Sequence, residues 1–450
     1  MKIKSTGLLA SGLALVLLAG CVGKPDYTLN TARYPEATSY SAAYDRVAQI
    51  EDGSLSVSDQ EVNDAYDALL DAEGTYREQL QSIRDGAEEH LPNLVDFSAE
   101  TSQALFRGRA ENTVYSPVSL YLALSMLAEA TGGDTQQQIT ALLGPEHGAA
   151  AGNALWRMTY QNGRGQTSAA NSLWVSDQYD VQPLFAQRLS EVYYADSFSV
   201  PMGTKTADDL MQSWLRERTG GLLDREISGL TTKPETALSL LSTLYFHNMW
   251  SQQFSPAMTD SDLFTLVDGT ILSTPFMHDQ STGTWHQGDG FISADRYFQE
   301  GGKMRFVLPD AGILPQELLT DPEVVTDMLT GEQEMQSLIS WSVPKFDISS
   351  DLELSNQLKA LGVTDAFSAE TADFSPALGA AQASLSQVQQ AGRVQIDENG
   401  CTAAAYTALM LDGSALPPDN ILHFQLNRPF LFIIMTDDDI PLFIGTVYEP

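Results

Sequence analysis

The sequence predicts an α+β fold with sizeable antiparallel or mixed sheets. Three observations support this. In the first half of the chain, apolar residues recur at spacings of three and four, which lines one face of a helix. From residue 261 onward, short alternating or wholly apolar runs dominate, the pattern of half-buried and buried strands. Helices are thus segregated from strands, with no internal repeat, which fits helices laid against sheets rather than repeated β-α-β units. At 450 residues, 43 % of them hydrophobic, the chain can form one large domain with an appendage.

The N-terminus begins with Lys2 and Lys4, then an apolar run from Gly7 to Leu18 that is too short to span a bilayer. Residues 1–20 read as a secretory signal, and the ending Leu18-Ala19-Gly20-Cys21 resembles the bacterial lipoprotein signal. That resemblance implies a lipid on Cys21 and an extracytoplasmic protein anchored to a bacterial membrane, at the outer membrane or the cell surface. Val22 is not acidic, so nothing in the resemblance argues for retention at the inner membrane. Residues 21–57 are polar and proline-punctuated and read as a tether. Ser58-Asp-Gln-Glu61 has the form of a capping box. With Val62, Tyr66, Leu69, Tyr76, Leu80, Ile83 and Ala87 it makes 58–91 an amphipathic helical spacer, as one helix or two broken at Gly74.

The main domain is expected over residues 92–450, after Leu91-Pro92. Helical spacing is predicted in 96–106, 120–127, 184–193, 210–218 and 352–361, and strands in 112–116, 169–175, 236–246, 264–267, 304–308, 339–348, 392–397 and 430–435.

Charge and motifs exclude several functions. Twenty-four Lys+Arg against 59 Asp+Glu give −35, a field that repels phosphate backbones, so no nucleic-acid partner is expected. Neither C-x-x-C nor H-E-x-x-H occurs, so neither a metal nor a cofactor is indicated. There is no G-x-S-x-G, and the six His stand in no catalytic motif, so the chain does not read as an enzyme. With Cys21 lipidated, Cys401 has no partner for a disulfide.

Between two strand signals lie about twenty small, mostly uncharged residues, Glu398 to Pro418, closed by Pro417-Pro418. A connection of this length is usually functional or disordered. The flanking motifs place it. Asn112-Thr-Val-Tyr-Ser-Pro-Val-Ser-Leu120, Gly133-Asp-Thr135, Leu244-Tyr-Phe-His-Asn-Met-Trp250 with Phe254, Val343-Pro-Lys-Phe346, Leu361-Gly-Val363, Ala366-Phe-Ser368, Arg428-Pro-Phe-Leu-Phe432 and Pro441-Leu-Phe-Ile-Gly-Thr-Val447 occur in one order over roughly 350 residues. Together they resemble the serpin family.

The resemblance implies helices packed around three β-sheets and an exposed reactive centre loop, here Glu398–Pro418. It also implies suicide inhibition. A serine protease attacks the loop and forms an acyl-enzyme, and the cut loop then inserts into the central sheet and distorts the trapped protease. The partner is therefore a serine protease held in a covalent acyl complex, and the inhibitor itself is expected as a monomer. The alternative is a non-inhibitory serpin-fold binding lipoprotein whose loop is only a substrate.

The loop is suited to insertion. With Cys401 as its first inward residue, the buried row is Cys401, Ala403, Ala405, Thr407, Leu409 and Leu411, none of them charged. Each Leu contributes about 1.5–3 kcal/mol on burial. Each new backbone hydrogen bond adds about 1 kcal/mol net, for a driving force on the order of 10 kcal/mol. The hinge comprises Glu398, Gly400, Cys401, Thr402, Ala403, Ala404 and Ala405, with Gly400 supplying backbone freedom. Counting from Glu398 as in the family puts the scissile bond between Ser414 and Ala415, with Met410 or Leu411 as alternative cleavage positions. A small residue before the bond suits elastase-like or subtilisin-like proteases, and the alternatives suit chymotrypsin-like ones. No Lys or Arg lies between Glu398 and Pro418 to serve a trypsin-like enzyme. The sheet-opening region is assigned to Ser116, Ser119, Ser242, Trp250 and Ser342, with Ser242 and Ser342 as two hydroxyls able to bond each other.

Overall fold

The computed structural model describes residues 26–34, 40–51, 53–145, 147–162, 165–221, 223, 230–331, 333–379, 382–401 and 421–450. The N-terminal part carries β1 (Thr28–Asn30), α1 (Ser41–Glu51) and α2 (Asp59–Asp85). The capping box at the start of α2 forms as expected: Ser58 N–H donates to Glu61 Oε2 at 2.9 Å, and Glu61 N–H donates to Ser58 Oγ at 3.4 Å. The helix continues through Gly74, so the spacer is one long helix. Arg84 Nε, in its last turn, lies 2.7 Å from Asp438 Oδ1 near the C-terminus of the chain.

The main domain begins with α3 (Leu91–Phe106), β2 (Thr113–Tyr115) and α4 (Pro117–Ala130). Ser116 caps α4 by accepting from Ser119 N–H at 3.3 Å, and Pro117 occupies its first turn, where a missing N–H costs nothing. Every α4 residue except Glu129 is buried, as expected of a helix apolar on all sides. Next come α5 (Gly133–Leu143), α6 (Ala149–Thr159), β3 (Gln161–Asn162), β4 (Gln166–Ser176), α7 (Pro183–Val192), β5 (Asp196–Val200), α8 (Lys205–Arg218) and β6 (Leu238–Met249). Strands then dominate: β7 (Thr259–Thr265), β8 (Ile271–Gly288), β9 (Phe291–Tyr297), β10 (Lys303–Pro309), β11 (Met335–Pro344), β12 (Phe346–Glu353), β13 (Leu385–Ile396), β14 (Gly400–Cys401), β15 (Ile421–Gln425), β16 (Phe430–Met435) and β17 (Pro441–Val447).

Among the described residues the strands join into two sheets, not three. The first has the order β1-β5-β4-β6-β14-β13-β12, with β3 beside β4; the second has the order β15-β11-β8-β9-β10-β16-β17-β2, with β7 beside β8. The expected second and third sheets merge because β8, 18 residues long, is shared. Its first part pairs with β7 and β11, and its last residues pair with β9.

Two further expectations are corrected. Residues 339–348 do not form one strand: β11 ends at Pro344 in the second sheet and β12 starts at Phe346 in the first. The stretch read as a tether contributes an edge strand, with Thr28 facing Phe198 and Asn30 facing Ser197 of β5. Three residues, two of them exposed and one half-buried, carry too little apolar pattern to be legible as a strand.

Candidate functional site: the seam of the first sheet and the loop hinge

The strands β6 and β13 run parallel at the centre of the first sheet, paired from Leu238↔Leu385 to Thr243↔Ala391. Thr243 Oγ1 locks the last of these pairs by donating to Ala391 C=O at 2.9 Å. Above it, β14 lies between the two strands, with Cys401 facing both Asn248 of β6 and Ile396 of β13, and Gly400 facing Met249. A strand that returns by a tight turn must run antiparallel to the strand it leaves. Because β6 and β13 are parallel, β14 is antiparallel to both. The first two residues of the expected loop strand are therefore already seated in the sheet.

The turn feeding β14 is held on all sides. Asp397 Oδ1 accepts from Asn399 N–H at 2.8 Å and from Gly400 N–H at 3.3 Å. Trp250 N–H donates to Asn399 C=O at 2.9 Å, Trp250 Nε1–H donates to Asp397 C=O at 2.9 Å, and Phe254 N–H donates to Glu398 C=O at 3.0 Å. Trp250 is fully buried and stacks on Phe298 at 4.8 Å with planes 8° apart. The Glu398 carboxylate accepts from Thr259 Oγ1 at 2.8 Å and from Lys345 Nζ at 2.8 Å. Burial alone would raise its pKa, but the Lys345 hydrogen bond, the residue's own backbone N–H and Thr259 together hold it below its ordinary value.

Gly400 has a steric role rather than the conformational one expected. Its φ is not positive, but a Cβ there would lie 2.3 Å from Asn248 O and 2.6 Å from Met249 Cα. Only glycine lets the incoming strand approach β6 this closely. Cys401 is 1 % exposed. Burial, and then the nearby Cys401, pushes the Tyr245 phenol upward. Thr402, Ala403, Ala404, Ala405, Met410, Leu411, Ser414 and Ala415 lie outside the described residues, as does Cys21.

Lower in the seam, Ser242 and Ser119 are completely buried and their hydroxyls are 2.5 Å apart; Ser119 Oγ also donates to Thr243 C=O at 3.3 Å. Ser342 is not part of this group. It lies on β11 in the second sheet, opposite His278 and Gln425, with its Oγ buried and without a hydrogen-bond partner among the described residues. The residue facing Ser242 across the seam is Gln390, which the sequence reading missed. Gln390 Oε1 accepts from Ser116 N–H at 2.8 Å, and its Nε2 donates to Ser116 C=O at 2.9 Å. Each side of the seam is thus pinned to the start of α4, β6 through Ser119 and β13 through Ser116. The only local signal for Gln390 is a polar side chain in an otherwise buried strand centre.

The first sheet is thus parted at one end, where the first two residues of a returning strand sit between β6 and β13. The chain is a member of the serpin family: the family model described as "Serpin (serine protease inhibitor)" matches residues 92–450. The family is one of inhibitors rather than catalysts. Serpin-Z2B of Triticum aestivum is 32 % identical over 363 residues, covering 75 % of this chain and 90 % of the relative. Serpin-Z7 of Hordeum vulgare is 31 % identical over 365 residues, covering 76 % and 90 %. Among solved structures, the native state of Tengpin, a thermophilic serpin, superposes with a TM-score of 0.72 at 24 % identity, covering 80 % of this chain and 93 % of that one. Thyroxine-binding globulin complexed with thyroxine gives 0.69 at 22 % identity, covering 80 % and 98 %. At these identities the structural likeness defines the fold alone.

Proposed function

We propose that this protein is a suicide inhibitor of serine proteases that traps the acyl-enzyme by inserting its cut loop between β6 and β13. The observation that carries the reading is the seating of Gly400 and Cys401 in that seam: both are uncharged, one has no Cβ to clash, and the other is already buried. The residues that follow, Thr402 to Ala405, carry no charge that would have to be desolvated. Cleavage is assigned to Ser414–Ala415, by an elastase-like or subtilisin-like protease whose primary pocket takes a small residue, with Met410 or Leu411 serving a chymotrypsin-like one. The inhibitor acts as a monomer and is held at a bacterial membrane by a lipid on Cys21, an assignment supported by Leu18-Ala19-Gly20-Cys21.

Incubation with an elastase or a subtilisin tests the reading. The expected product is an SDS-resistant complex that disappears with Ala403→Arg, because that substitution places a charge in the buried row. A cleaved loop with fully active protease would instead identify a non-inhibitory serpin-fold binding lipoprotein whose loop is only a substrate.

A further inference from the structure

The family match starts at residue 92, yet Thr28–Asn30 are built into the sheet whose opening the proposed mechanism requires. Inserting a strand moves β6 and β13 apart by about 4.8 Å, one further strand spacing. The helix α8 lies across the seam. Its Ala207, Met211, Trp214 and Leu215 share one apolar cluster with Leu241 of β6 and Ala391 of β13. Opening therefore separates two residues packed beneath the same helix, and α8 must shift or lift for the seam to widen.

The N-terminal segment resists that movement. Ser199 N–H donates to Tyr27 C=O at 2.8 Å, and Tyr27 packs against the α8 cluster. The decisive group is Asp196, the first residue of β5, whose side chain is 2 % exposed. It accepts from Ala32 N–H at 2.8 Å, from Trp214 Nε1–H at 2.6 Å and from Arg218 Nη2–H at 2.5 Å. One buried carboxylate thus joins the N-terminal segment, the sheet edge and the last two turns of α8. The Arg218 guanidinium lies 5.3 Å from the centroid of the Tyr34 ring, and Tyr34 stacks on the buried Trp156 at 5.2 Å. A buried carboxylate is costly to leave short of donors, so release of the segment weakens the hold of Asp196 on α8.

We propose that residues 27–34 form a strap which, through Asp196, holds α8 down over the seam and sets the rate of loop insertion. The strap rests on the insertion reading above and adds the control of its speed. In this scheme Asp196 is a positioning residue: it touches neither protease nor loop.

Two mild variants of the full chain test the strap by different contacts. Ala32→Pro removes the one N–H that the strap gives to Asp196, and Tyr34→Leu removes the ring over Arg218. The intact proteins are warmed, and the fraction that has become resistant to loop cleavage, the uncut inserted form, is followed in time. Both variants should convert about tenfold faster than the unaltered chain, the effect of losing from the resting state but not from the transition state one hydrogen bond to a charged group (Ala32→Pro) or one cation–π contact (Tyr34→Leu). The unfolding temperature of the loop-cleaved form should be nearly the same in all three, because its sheet is already open. Conversion at the unaltered rate, or equal destabilisation of intact and cleaved forms, would make the segment simple glue and overturn the strap. A loop in the unaltered chain that never inserts, even after cleavage, would overturn the insertion reading and the strap with it. Insertion by the unaltered chain with unchanged variants overturns the strap alone.

Discussion

Glu398 and Lys345 form an ion pair at 2.8 Å that joins the turn before the loop to the crossover between the two sheets. Lys345 occupies the single position between β11 and β12, and Glu398 the turn between β13 and β14. The pair therefore holds the turn at the parted end of the seam, and its carboxylate is mostly buried while the ammonium remains partly in water.

Glu398→Gln should lower the unfolding temperature of the intact protein, at a cost of roughly 1–3 kcal/mol for the lost charged hydrogen bond. The same pair gives the hinge an acid sensitivity of definite sign. The folded-state pKa of Glu398 lies below its ordinary 4.5, so its contribution is fully present above that pH and is lost as the pH falls through the lowered folded value. The stability gap between the unaltered protein and Glu398→Gln should therefore be largest near neutrality and close in acid. A gap that widens on acidification would contradict the assignment.

Gly400→Ala should expel β14 from the sheet, because the added Cβ meets Asn248 O at 2.3 Å and backbone yields less readily than a side chain. Cys401 reports this directly. It is buried, and the only other cysteine in the chain is Cys21. The thiol of the unaltered protein should react slowly with a disulfide reagent, and that of Gly400→Ala at nearly the rate of the denatured chain. Equal slow rates would mean that the hinge accommodates a side chain.

Gln390→Ala should destabilise the intact protein more than Ser242→Ala. Removing Gln390 leaves the buried Ser116 N–H without its acceptor, a loss of roughly 1–3 kcal/mol. Removing the Ser242 hydroxyl leaves Ser119 Oγ still donating to Thr243 C=O, so the cost should be about 1 kcal/mol or less. Thermal unfolding of both variants checks the order, and the reverse order would place the seam lock on the β6 side.

The sequence makes most elements of the main domain legible because their patterns are local. Trp250, Ser116, Ser119 and Ser242 are all in or beside the seam, and Cys401 is buried. What was misread depends on distant pairing. Ser342 and Gln390 both stand in strands with buried polar positions, and only the parallel register of β13 with β6 shows which one faces Ser242. The break at Lys345 is hidden because the apolar–polar alternation of Ile339 to Val343 resumes at Phe346 after only two residues. The strap is hidden for the opposite reason: its strand is short and polar, and its anchors, Asp196, Trp214 and Arg218, lie more than 160 residues away.

Thermal unfolding before and after a single cut in the loop tests the central claim most directly. A driving force on the order of 10 kcal/mol, at about 2–4 °C per kcal/mol for a large domain, predicts a rise of about 20–40 °C in the unfolding temperature on cleavage. An unchanged or lower unfolding temperature would show that the loop does not enter the seam, and would contradict inhibition by insertion.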